Sequence, residues 1–92
     1  MRYFNEVLAE LYENGELVFP NEMIEYVATA ETEEDLAVDV PYFYQCFRDE
    51  IRDIQEICGD FRTPTLSSWQ TFEDFIALQI MEFIWYKGML LN

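Results

Sequence analysis

The chain has 92 residues, of which 19 are Asp or Glu and five are Lys or Arg, and its formal net charge is −14. Half of its residues are nevertheless apolar and 17% are aromatic, which excludes the composition of a disordered acidic protein. Because it has no histidine and only two cysteines, a Ser-His-Asp triad, a Cys-His nucleophile and the usual zinc sites are also excluded.

The first predicted element is an amphipathic helix over residues 2–14. Apolar residues recur at helical spacing from Phe4 to Leu11, and Gly15 follows at the place where a left-handed residue commonly ends a helix. Three carboxylates occupy the opposite side of this helix and form a first candidate acidic row for partner binding: Glu6, Glu10 and Glu13.

A second helix is predicted to start at Pro20 and Asn21 and to end near Ala30. After it, Thr32 followed by Asp35 has the spacing of a capping box, and it predicts a short acidic helical turn over residues 33–38. The acids in and around this turn are further candidates for partner binding: Glu31, Glu33, Glu34, Asp35 and Asp39.

Pro41 fits the first turn of a long helix, which is predicted over residues 41–58 and closed by Gly59. Its core face carries Phe43, Phe47, Ile51, Ile54 and Cys58. The opposite face carries a second acidic row, Asp49, Asp53, Glu56 and Asp60, and Arg52 can pair with Asp49 or Glu56. The row would span about 16 Å, with one charge per about 4–5 Å, which is comparable to the 3.4 Å between phosphates along one DNA strand.

Both cysteines fall within this predicted helix. Twelve residues along one helix separate Cys46 from Cys58 by about 18 Å, so a disulfide between them is excluded. We expect two unpaired thiols, with Cys58 on the core face.

The last predicted helix runs from about residue 69 to residue 87, with Gly88 as its stop, and follows a linker over residues 61–68. It is apolar on both sides, so it is either the central helix of a bundle or a helix shared with a second chain. Because a chain of 92 residues offers few neighbours, we favour a homodimer. Its predicted oligomerisation residues are Leu78, Met81 and Trp85.

These elements predict an all-α fold, a small bundle of four main helices plus a short acidic helical turn, in one acidic domain over residues 1–92. The N-terminus lacks the apolar segment of a signal peptide, and the best apolar stretch, residues 75–86, contains Glu82 and is too short to span a bilayer. We therefore expect a cytoplasmic protein that has no membrane partner.

The sign of the charge argues against direct nucleic-acid binding and points to proteins that bind nucleic acid. In composition, size and helical character over its whole length, the chain resembles the small acidic proteins that phages and mobile elements use as DNA mimics against restriction enzymes, CRISPR effectors or other DNA-binding proteins. The resemblance implies an acidic inhibitor or regulator that binds the basic nucleic-acid-binding surface of another protein, in the host cytoplasm if a phage encodes it. We expect no cofactor.

Two other functions remain open. A helical partner-binding or assembly protein, such as an antitoxin-like or accessory phage protein, would act through aromatic residues, for which the candidates are Tyr42 and Tyr44. An all-α nucleotide pyrophosphohydrolase would hold Mg²⁺ with acids at i, i+3, a spacing shared by Glu31 with Glu34 and by Glu50 with Asp53. In so acidic a chain such pairs arise by chance, and the basic residues are scattered, so we predict no enzymatic activity and no metal site.

Overall fold

The computed structural model describes residues 1–88, and this part of the chain holds five α-helices and no strand. The helices are α1 (Phe4–Glu13), α2 (Asn21–Ala28), α3 (Glu33–Cys46), α4 (Arg48–Cys58) and α5 (Phe72–Gly88). The predicted all-α class is confirmed, whereas four main helices plus a short acidic turn is not the arrangement found. None of these helices combines the length and the apolarity needed to cross a membrane.

The first helix agrees with the prediction. α1 buries Phe4, Val7 and Leu8 and ends where Gly15 adopts a φ of 76°. That left-handed residue turns the chain back, so that the backbone N–H groups of Glu16 and Leu17 both donate to the carbonyl oxygen of residue 11, at 2.9 and 3.2 Å.

The third helix begins as predicted but is much longer than a turn. The N–H of Asp35 donates to Thr32 Oγ1 at 3.3 Å and the N–H of Thr32 donates to Asp35 Oδ2 at 3.2 Å, which completes the capping box. The helix then continues through Pro41 to Cys46, so the turn over residues 33–38 and the helix start at Pro41 were both wrong. Pro41 cannot donate to the carbonyl of Ala37, but both residues are exposed, so solvent can satisfy that carbonyl.

The long helix predicted over residues 41–58 is interrupted at Phe47, whose φ of −125° and ψ of 30° are not helical. Hydrogen bonding continues across the break, because the N–H of Phe47 donates to the Phe43 carbonyl at 3.0 Å and the N–H of Ile51 donates to the Phe47 carbonyl at 2.8 Å. The buried Phe47 ring packs against Phe43 and Tyr26, with ring centroids 5.2 and 5.8 Å apart. We attribute the break to this tertiary packing, which helical periodicity does not reveal.

The two cysteines therefore lie on different helices, Cys46 on α3 and Cys58 on α4, and the distance derived for a single helix does not apply. Both are free thiols, as predicted. Cys58 is buried on the core face, and this burial raises its pKa to about 11, whereas Cys46 is exposed.

The last helix is the centre of the fold. α5 begins at Phe72 rather than at Trp69, because the hydroxyl of Thr71 accepts a hydrogen bond from the N–H of Asp74 at 3.0 Å. It contacts each of the other four helices. Its buried residues are Phe75, Ile76, Ala77, Ile80, Met81 and Ile84.

This packing corresponds to the first of the two sequence alternatives, a central helix. Met81 is 1% exposed within the single chain, and the half-buried Trp85 donates its indole N–H to the Ala30 carbonyl at 3.3 Å. Leu78 is also partly buried against the core. The argument that α5 lacks neighbours was wrong, and homodimerisation stays a prediction without that support.

Candidate protein-binding surfaces

The negative charge of the protein lies at its surface. All 19 carboxylates belong to residues 1–88, and no charged or polar side chain in this range is buried. Four of the carboxylates are half-buried and the others are exposed; the half-buried ones are Asp39, Glu50, Asp74 and Glu82.

Basic side chains neutralise little of this charge. In the part of the chain that the structure describes, only two ion pairs form, one between Arg2 and Glu10 and one between Arg52 Nη2 and Asp49 Oδ1 at 2.7 Å. The second pair is the one predicted from helical spacing. All four side chains are about half exposed or more, and ion pairs in such positions contribute only about 0–1 kcal/mol.

The two remaining arginines lie over aromatic rings. The guanidinium carbon of Arg48 lies 5.5 Å from the centroid of the Tyr44 ring, and that of Arg62 lies 5.7 Å from the centroid of Tyr3. Tyr44 is half-buried against the core and has a cation beside it, whereas Tyr42 is 63% exposed. Of the two aromatic candidates, Tyr42 is the one that offers its ring to solvent.

The acidic row of α4 is shorter than predicted. Asp49, Asp53 and Glu56 are exposed on the side of α4 opposite its buried residues and span about 10 Å along the axis, or about one charge per 5 Å. The chain leaves the helix at Gly59, where φ is 68°, so Asp60 is exposed beyond it. The prediction of a continuous row of four carboxylates over 16 Å was wrong, because it required the helix to continue past Gly59.

The acidic row of α1 lies on a helix that contacts α4. Glu6, Glu10 and Glu13 are all exposed, as predicted. The start of α1 is also tied to the segment after α4, because the N–H of Phe4 donates to the Arg62 carbonyl at 3.2 Å. The α1 and α4 rows thus belong to neighbouring helices.

A third acidic cluster surrounds the start of α3. Its exposed members are Glu31, Glu33, Glu34 and Asp35, and Asp39 is half-buried one turn further on. The carboxylate of Asp35 is already engaged, because it accepts from the N–H groups of Glu31 and Thr32 at 3.1 and 3.2 Å.

Sequence reasoning missed Glu82, which belongs beside this third cluster. Burial raises the pKa of Glu82, and the negative charge of Glu33 raises it further, so α5 brings this carboxylate close to the start of α3. Helical periodicity gave no signal for it, because Glu82 is the only acid in the apolar stretch of residues 75–86.

Sequence reasoning identified Tyr42 but missed the exposed apolar surface on α3 to which it belongs. We call Ala37, Val38, Pro41 and Tyr42 the α3 apolar face, since all four are exposed and follow one another at helical spacing. Trp69, in the linker before α5, is 80% exposed and lies beside it. Because residues 33–38 were predicted to form a separate acidic turn, Ala37 and Val38 were not placed on the same helix as Pro41 and Tyr42.

Within residues 1–88, no group of three or more Cys, Asp or Glu side chains is placed to hold a metal ion. Comparisons of the chain with models of protein families, with curated proteins and with solved structures found no match. The surface features above are therefore the basis for assigning a function.

Proposed function

We propose that the protein binds the basic nucleic-acid-binding surface of another protein, as a DNA mimic of the phage or mobile-element type, and thereby inhibits or regulates that protein. The observation that supports this most is the uncompensated surface charge. Nineteen carboxylates reach solvent to some degree, and only Glu10 and Asp49 form ion pairs in the described part of the chain.

This charge costs stability, because carboxylates of one sign repel each other in the compact state. A partner with a Lys- and Arg-lined groove would relieve that repulsion on binding. The α4 row presents about one charge per 5 Å, a somewhat lower density than one DNA strand, and the neighbouring α1 row adds three more carboxylates. A groove that normally contacts phosphates could therefore form ion pairs with both rows.

Such a contact has a characteristic dependence on salt. Long-range attraction accelerates association at low ionic strength, and screening weakens it as salt rises, since the Debye length falls from about 10 Å at 0.1 M to about 3 Å at 1 M. A partner that bound mainly through aromatic and apolar contacts would show little of this dependence.

Charge reversal on α4 tests the proposal. The variant Asp49→Lys, Asp53→Lys and Glu56→Lys removes the α4 row. A matched control carries the same charge change at exposed acids outside the three clusters, namely Glu16→Lys, Glu22→Lys and Glu25→Lys. Each protein is immobilised, incubated with nuclease-treated lysate and eluted with a salt gradient.

We expect the wild type and the control to retain a nucleic-acid-binding protein that elutes at moderate salt, and the α4 variant to lose it while keeping its helical circular dichroism. Equal loss by both variants would mean that bulk charge, and not the α4 row, is recognised. A partner that stays bound at high salt would contradict the proposal and favour the aromatic alternative.

A further inference from the structure

We infer that the groove beside Trp69, which Ala37 and Pro41 of the α3 apolar face help to line, is a docking surface for one large apolar side chain carried on a basic segment of the partner. This inference rests on the proposed function, because it takes the partner to be basic. This surface is where the protein would distinguish one basic partner from another.

Large apolar side chains at and beside this groove are exposed to solvent. Trp69 is 80% exposed, Val38 is 71% exposed and Tyr42 is 63% exposed, although a core of buried residues is available in the same small fold. Trp and Tyr dominate the energetics of protein interfaces because they bury a large area with few rotatable bonds. An apolar face of this kind is a common mark of an interaction site.

The surface beside Trp69 is concave. An open groove of about 160 Å³ separates this side chain from α3 and the start of α5. Its lining residues are Ala37, Val40, Pro41, Trp69, Gln70, Asp74 and Leu78. A cavity of about 150 Å³ is known to admit benzene, so the groove has room for one side chain the size of phenylalanine or leucine.

The charge around the groove is negative. Asp74 is itself in the lining, and Glu34 lies one helical turn before Val38 on α3. Asp35 and Asp39 border the other edge of the α3 apolar face. None of the five basic residues, all of which the structure describes, lines the groove.

An apolar surface with carboxylates at its border and no Lys or Arg in its lining fits an apolar side chain with Lys or Arg on either side of it. A second copy of this chain fits less well, because it would bring another net charge of −14. In a two-fold dimer through this face, the carboxylates at the border of one copy would also lie against the equivalent acidic patch of the other. The occupant we assign is therefore a segment of a basic partner.

Two peptides test the inference. The first is a short peptide of lysine and arginine with one central phenylalanine, and the second has glycine in place of the phenylalanine and the same charge. Binding of each fluorescently labelled peptide is measured by anisotropy over a range of salt concentrations. The proteins are the wild type, Trp69→Ala, and the control variant Ile57→Ala, which truncates an exposed apolar side chain on α4.

We expect the wild type and Ile57→Ala to bind the phenylalanine peptide about 5- to 30-fold more tightly than the glycine peptide, the range that a single anchoring side chain of 1–2 kcal/mol gives. Trp69→Ala should abolish this preference and leave the salt dependence of binding unchanged. Because Trp69 is exposed, its removal should not unfold the protein. In NMR spectra, the Trp69 indole N–H signal should shift with the first peptide only.

The outcomes separate the two proposals. Equal binding of both peptides to the wild type, or a preference that survives Trp69→Ala, would overturn the docking surface while leaving the acidic recognition intact. Failure of both peptides to bind at low salt would contradict the proposed function as well. A wild type that sediments as a dimer and a Trp69→Ala variant that sediments as a monomer would show that a second copy is the occupant, which would also overturn the inference.

Discussion

Truncation of Ile54 to alanine is expected to destabilise the protein by about 3 kcal/mol, whereas the same change at Ile57 should cost less than about 1 kcal/mol. Both isoleucines lie on α4, but Ile54 is 3% exposed and Ile57 is 52% exposed. The pair therefore tests which side of α4 faces the core and, with it, which side presents the acidic row.

The magnitudes follow from the burial. Replacing isoleucine by alanine removes three carbon atoms, each of which contributes about 0.8 kcal/mol when it is fully buried, and at Ile54 the remaining cavity adds to the loss. At Ile57 about half of this transfer energy applies, no enclosed cavity forms, and the higher helix propensity of alanine returns a few tenths of a kcal/mol. A domain of this length has about 5–14 kcal/mol of stability in total, so both variants should remain folded.

The assay is urea denaturation followed by far-ultraviolet circular dichroism, with the free energy of unfolding of each variant compared with that of the wild type at one salt concentration. The slope against urea should be the same in all three proteins. Equal costs at the two positions, or a larger cost at Ile57, would refute the orientation of α4 and the placement of its acidic row.

Three further predictions concern single side chains. Burial and the charge of Glu33 raise the pKa of Glu82, so ionisation of Glu82 opposes folding. The destabilising effect develops as pH rises above 4.5, the ordinary pKa of a glutamate. Glu82→Gln should therefore increase the free energy of unfolding at neutral pH and have little effect well below pH 4.5. Burial raises the pKa of Cys58 to about 11. A thiol reagent at mildly alkaline pH should therefore react only with Cys46 in the native protein and with both cysteines after denaturation. Two fast-reacting thiols in the native state would contradict the burial of Cys58. Trp85→Phe removes the indole hydrogen bond to a backbone carbonyl and should lower the free energy of unfolding by about 1 kcal/mol, as measured by urea denaturation; an unchanged value would mean that this bond adds nothing.

The parts of the fold that follow from local chemistry could be predicted from the sequence. The end of α1 follows from Gly15, the start of α3 from the capping box at Thr32, and the buried stripe from Phe43 to Cys58 from the spacing of its apolar residues. The α1 row and three members of the α4 row follow from the same periodicity, because they lie opposite the buried stripes.

The parts that depend on tertiary contacts could not be predicted. The sequence around Pro41 is the same whether this residue starts a helix or lies inside one. It lies inside α3, where the carbonyl of Ala37 that it leaves unpaired is exposed to solvent. At the break, the ring of Phe47 packs against Tyr26 from another helix, a contact that the local sequence does not reveal. The proximity of Glu82 to the third acidic cluster and the groove beside Trp69 both require knowing how α3 packs on α5.

The most direct test of the central claim is competition between this protein and DNA for one partner. A protein captured on the wild-type chain is purified, and its binding to labelled duplex DNA is titrated with the wild-type chain at a fixed salt concentration. The account predicts that the acidic protein displaces the DNA completely, with an affinity that falls steeply as salt rises. A partner that binds DNA and the acidic protein simultaneously, with neither affecting the affinity of the other, would contradict it.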